Sequence, residues 1–146
     1  MDTSKELKEA IAKVREEIAE ARAVSSETLD YIKKGATEAS VKAVDKTQKA
    51  IAKVEAALAE ARAKSAKELK EAIATGVEEA GDAIADITKD IEELLEKAEK
   101  MVSNSRAELE RAGHHLKDKS IEETEKSIVK VRGTLKKVEE LIAKIK

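Results

Sequence analysis

The chain has 146 residues, 29 lysines and arginines against 31 aspartates and glutamates, and a formal net charge of −2. It contains no proline, cysteine, tryptophan or phenylalanine, and Tyr31 is its one aromatic residue. Lack of cysteine excludes disulfides, thiolate metal sites and thiol nucleophiles, while balanced charge and missing aromatics argue against the basic stripe and stacking platforms of a nucleic-acid binder. No apolar run approaches the roughly 20 residues of a membrane span. The start, Met1-Asp2-Thr3-Ser4-Lys5-Glu6, is charged at once, unlike a signal peptide. The expectation is a soluble chain, cytoplasmic if expressed in a cell, with neither nucleic acid nor membrane as partner.

The first predicted helix covers 3–34. Its apolar stripe runs Leu7, Ile11, Val14, Ile18, Ala21, Ser25, Thr28 or Leu29, and Ile32, in alternating steps of four and three. Gly35, preceded by Lys33 and Lys34, reads as a left-handed C-cap with cations near the last carbonyls. The second helix is predicted over 38–75, with Val41, Val44, Gln48 and Ile51 opening its stripe. Ala50–Leu69 matches Ala10–Leu29 at twelve of twenty positions, an internal repeat with a spacing of forty residues. A third copy survives as pattern: Ile11, Ile51 and Ile91 correspond, as do Ser25, Ser65 and Ser105.

The middle break is ambiguous. Leu69, Ile73, Val77, Ala80, Ile84, Ile87, Ile91 and Leu94 keep one stripe running through Gly76 and Gly81. A glycine inside a helix costs about 1 kcal/mol, which disfavours continuity without forbidding it. The third helix is predicted over 82–112, ending before Gly113. The fourth, over 120–146, opens on a capping-box pattern at Ser120-Ile121-Glu122-Glu123. Its stripe is Ile121, Ile128, Val131, Leu135, Val138 and Ile142.

Fold class follows: all-α, an antiparallel up-down-up-down four-helix bundle in one domain spanning 1–146. The competing architecture is one long central helix over 38–112 with flanking helices, paired as a domain-swapped dimer.

Chemical signatures are scarce. His114 and His115 are the only histidines. With Glu110 one turn before and Asp118 just after, they are the only surface candidates for a metal, since imidazole and carboxylate both bind zinc. The competing reading is a polar interhelical loop, and no metal or cofactor is expected. A di-iron bundle site would need two Glu-x-x-His motifs, and neither histidine completes one. Nearly all the acidic residues fall on polar faces rather than in the apolar settings that tune a catalytic carboxylate, and Asp86 and Glu99, read as near a helix boundary, are not taken as catalytic. No catalytic site is expected. The seam serines read as small residues bonding back to their own helix carbonyls, against the alternative of a polar layer. Tyr31 reads as a half-buried anchor.

The paired AIAKV…AEARA…S…L units, balanced Lys/Glu faces, and absence of proline and cysteine resemble a de novo designed or computationally generated helical bundle. The resemblance spans the whole chain and has no diagnostic motif. Heavy use of Ala and Ser in the stripe departs from idealised design, which prefers Leu; it suits a generated sequence or a natural helical rod of cytoskeletal or chemoreceptor type. The resemblance implies a structural scaffold without catalytic activity and without a required partner. The alternatives are a helical interaction or self-association module, as homodimer or with a helical partner, and a reversible amphipathic binder of lipid surfaces.

Overall fold

The computed structural model describes residues 5–74 and 78–145, with side chains over 5–71, 74 and 86–145. Four helices make up the described chain: α1 Lys5–Lys33, α2 Thr37–Ala74, α3 Glu78–Lys117 and α4 Ile121–Ala143. Each packs on its neighbour in sequence, α1 closes on α4, and the diagonal pairs share no backbone contact among the described residues. The result is an all-α four-helix bundle.

Antiparallel order can be read from the cross-helix partners. Thr28 meets Thr47 near the α1–α2 turn, while Glu6 at the far end of α1 reaches Lys64 and Lys67. Arg62 pairs with Glu99 and Glu55 with Arg106, so α2 and α3 also run oppositely. The α2–α3 contact overturns the alternative of one long helix over 38–112, because two halves of one straight helix cannot pack side by side in opposite directions. Gly76, the expected pivot, lies outside the described residues, whereas Gly81 is inside α3.

The buried residues form one seam per helix in steps of three and four. In α1 it is Leu7, Ile11, Val14, Ile18, Ala21, Ser25, Thr28 and Ile32; in α2 Ser40, Val44, Thr47, Ile51, Val54, Leu58, Ala61 and Ser65. In α3 it is Thr88, Ile91, Leu95, Ala98, Val102, Ser105, Leu109, Ala112 and Leu116; in α4 Thr124, Ile128, Val131, Leu135, Val138 and Ile142, with Ile145 continuing the seam just past the helix end. Such spacing presents one face to the neighbouring helices at shallow crossing angles.

Two stretches of the predicted stripe are corrected, as is the first residue of the α4 stripe, since Ile121 is exposed and the seam opens at Thr124. Val41 is 52 % exposed and Gln48 only half-buried, while Ser40 and Thr47 point inward. Ile87 is 43 % exposed and Leu94 half-buried, the seam passing through Thr88, Ile91 and Leu95 instead. In both cases the larger apolar residues further along the helix set the phase, and the hydroxyl residues that share it are carried inside. Thr47 and Ser40 satisfy themselves on carbonyls four residues back, Ala43 at 2.9 Å and Ala36 at 2.7 Å.

The end of α1 is as expected at Gly35, and the end of α3 differs. The α1 terminus is a Schellman motif: Ala36 N–H donates to Tyr31 O and Gly35 N–H to Ile32 O, with Gly35 at φ +72°. Gly113 ends nothing, since α3 runs on to Lys117. The second Schellman motif lies six residues later, where Ser120 N–H donates to His115 O, Lys119 N–H to Leu116 O, and Lys119 takes the left-handed φ of 61°. Ser120 precedes α4 as expected, but its side chain makes no cap hydrogen bond; its carbonyl instead accepts from the Thr124 N–H and hydroxyl.

A stability series tests these ends. Gly35→Ala should cost about 1 kcal/mol because the left-handed residue gains a Cβ. Lys119→Gly should gain a similar amount. A Cβ at helical Gly113 would meet nothing within 4 Å, so Gly113→Ala should stabilise by about 0.5–1 kcal/mol. Urea denaturation followed by far-ultraviolet circular dichroism reads all three.

Candidate functional site

Three of the four interfaces fall into two kinds. At α1–α2 the contact is close: Ala43, Ala50 and Ala57, seven residues apart, are all buried, and Thr28 Oγ1 reaches the Ala43 carbonyl of α2 at 3.1 Å. The other kind carries arginine. On the α2–α3 flank Arg62 Nη1 donates to Glu99 Oε2 at 2.8 Å, and Arg106 Nη1 lies 3.5 Å from Glu55 Oε1, an ion pair without hydrogen-bond geometry. On the α1–α4 flank Arg22 pairs with Glu139 at 2.6 Å. Arg15 reaches the Ile145 carbonyl at 2.9 Å and that of Ile142 at 3.4 Å, capping the end of α4 from a neighbouring helix. The Glu99 hydrogen bond, then its charge, holds the Arg62 guanidinium above the usual arginine range, against partial desolvation. A raised pKa contributes stability fully below the ordinary arginine range and loses it only above, so this contribution of Arg62 is constant through neutral pH.

Two grooves interrupt these flanks. Where α2 begins and α3 ends, the floor is Val44 and Leu116, the wall includes Val41 and Gly113, and the volume is about 380 Å³. Its rim carries Asp45, Gln48, Glu110, His114 and Lys117. A second groove of about 340 Å³ lies between α3 and α4, beside Gly133.

Of the sequence candidates, His114 and Glu110 are brought together on the rim of the first groove, both exposed. His115 is half-buried, and Asp118 is exposed just beyond the end of α3. Their backbones serve the turn: His114 O accepts from the Asp118 N–H and His115 O from the Ser120 N–H. No group of three or more His, Asp or Glu side chains among the described residues could hold a metal ion. Asp86 is exposed on α3 and Glu99 is engaged by Arg62.

The three matched serines have three fates. All are buried, but Ser25 donates to Arg22 O at 2.8 Å, Ser65 reaches across to Thr88 O at 3.4 Å, and Ser105 Oγ has no hydrogen-bond partner among the described residues. The one strong polar pair in the core, Thr28 Oγ1 to Thr47 Oγ1 at 2.9 Å, joins residues outside the matched serine set. Tyr31 is half-buried, as expected, with its hydroxyl on Glu27 at 3.2 Å.

No protein-family model, curated protein or solved structure matches this chain. No described helix is long and apolar enough to cross a membrane.

Two measurements bear on these features. A double-mutant cycle on Arg62 and Glu99 should give a coupling of about 0.2–1 kcal/mol that shrinks with added salt, because both side chains remain partly solvated. Calorimetric zinc titrations of the parent and of a His114→Ala, His115→Ala double variant should superimpose.

Proposed function

We propose that the chain is a structural element, a self-contained helical scaffold of engineered origin with no catalytic role. One observation carries the reading. The seams of all four helices are buried against one another within a single chain, from Leu7 to Ile145, so folding consumes most of the apolar surface that a larger assembly would use. The unbroken three-four spacing supports describing the bundle as coiled-coil-like. Engineered origin is supported by the paired AIAKV…AEARA units, the balanced Lys/Glu faces and the lack of proline and cysteine. A lipid-surface role would need the seam to open, because the apolar faces turn inward.

A second reading, a helical interaction module, is favoured by the groove at Val41. There an apolar floor and a 52 % exposed valine are framed by charged side chains, the form of a shallow pocket for an apolar side chain of a partner.

Gel filtration with light scattering decides between them. The scaffold reading expects a compact monomer of 15.9 kDa at all accessible concentrations. A dimer that dissociates on Val41→Glu would overturn it in favour of self-association.

A further inference from the structure

The groove between α3 and α4 combines features that packing does not explain. Gly133 sits in the middle of α4 with ordinary helical backbone, and a Cβ there would meet nothing within 4 Å. Neither a left-handed turn nor a close helix approach accounts for it, although glycine weakens a helix at such a place. Around it the charge pattern changes. Lys126–Val138 is the longest acid-free stretch of a chain that carries 31 acidic residues, and it holds five basic ones. Lys130, three residues before Gly133, has Lys126, Ser127, Gly133 and Thr134 as its neighbours three and four positions away, none of them acidic. Lys137 lies four residues after Gly133. Both lysines line the groove, and neither enters an ion pair among the described residues.

The opposite wall comes from α3. Glu108, the carboxylate in the groove lining, is held by Arg111 at 2.9 Å, so its charge is already answered. Asn104 contributes an amide. Ser105 forms part of the inner wall; it is 1 % exposed and its hydroxyl has no hydrogen-bond partner. An unpartnered buried hydroxyl is a local deficit that a ligand oxygen can make good.

We propose that this groove binds a small oxyanion group of the phosphate class. Lys130 and Lys137 supply the charge, Asn104, Thr134 and Ser105 the donors, and Gly133 the room. A phosphate has only acceptor oxygens at its periphery, which matches a wall of ammonium, amide and hydroxyl donors. The group could arrive as a free phosphate or as a lipid headgroup.

The test is an amide NMR titration of the whole chain with inorganic phosphate, at fixed low ionic strength maintained with chloride. Saturable shifts concentrated at Ser105, Gly133 and Thr134 are expected. A Lys130→Gln, Lys137→Gln double variant should weaken binding about tenfold or more. Gly133→Leu, checked for folding by circular dichroism, should weaken it by filling the groove. Ser105→Ala is the discriminating variant: it should raise the melting midpoint by removing an unpartnered hydroxyl and also weaken phosphate binding, whereas a purely structural serine would move the midpoint alone. Competition by phosphatidylglycerol vesicles, but not by phosphatidylcholine vesicles, assigns the source to a lipid headgroup; no competition assigns it to the free ion. Shifts that do not saturate, that spread over lysines throughout the chain, or that persist unchanged in the double-lysine variant would overturn the site.

Discussion

Continuity of the apolar seam governs the rest of this molecule. With no proline to reset the backbone, each helix keeps one rotational phase over its length, and that phase is chosen by its largest buried residues. In α2 these are Ile51, Val54 and Leu58; in α3 they are Leu95, Val102 and Leu109. Other positions on the same helix take whatever side the phase assigns. Thr47, Ser40 and Thr88 are therefore inside, and Val41 and Ile87 are largely outside. The arrangement is tolerable because hydroxyls are the polar groups a helix can satisfy by itself: Ser40, Thr47 and Thr124 donate to carbonyls four residues back, which leaves the single Thr28 proton for Thr47 Oγ1 or a nearby carbonyl. Leaving such a group buried and unpaired would cost about 1–3 kcal/mol each.

The seam alone does not choose which helices become neighbours, since four amphipathic helices could close in more than one order. The flanks add that information. Buried alanines let the α1 and α2 backbones come close enough for Thr28 to reach a carbonyl of α2, and a short Schellman turn at Gly35 ties the hairpin. The α1–α4 and α2–α3 contacts instead place arginine opposite glutamate or a free helix end. Exposed ion pairs of this kind contribute little stability, but they disfavour the alternatives. A slipped register would separate Arg22 from Glu139 and Arg62 from Glu99. The bundle is thus held mainly by apolar burial and specified partly by charge.

Much of this was legible in the sequence. Most core positions follow from the apolar stripe, because period and burial are two expressions of one geometry, and the division into four helices follows from the stripe together with the glycines. Errors arose where the stripe was read by apolarity rather than by phase. Valine at 41 and isoleucine at 87 look like core, yet the correct phase runs through a neighbouring serine or threonine. Glycine misled in a similar way. Gly35 and Gly113 look alike in sequence, each with a basic residue within two positions before it, but only Gly35 has positive φ. The α3 stop falls at Lys119 because the seam extends to Leu116, a residue that repays another turn of helix by burial. Left-handed lysine carries no sequence mark, so that turn could be read only from where burial ends.

The candidate sites were less legible, for a related reason. His114, His115, Glu110 and Asp118 stood out by residue type, and three-dimensional placement brought only His114 and Glu110 to a shared rim. The groove at Gly133 holds the chain's single asparagine, Asn104, and one of its five glycines, but neither residue type marks a site by itself. Its signal is an omission, the acid-free run from Lys126 to Val138, which net charge averages away. Residue-type searches are blind to such runs, whereas the local balance of charge along one helix is not. In a bundle whose faces otherwise alternate acid and base, a stretch that stops alternating is where the surface departs from what solubility and helix stability alone require. Gly133 sits within that stretch, and so does the wall opposite the one seam serine left without a partner. Three departures from the rules of the fold, in charge, helix propensity and hydrogen bonding, converge on one groove, while packing explains none of them.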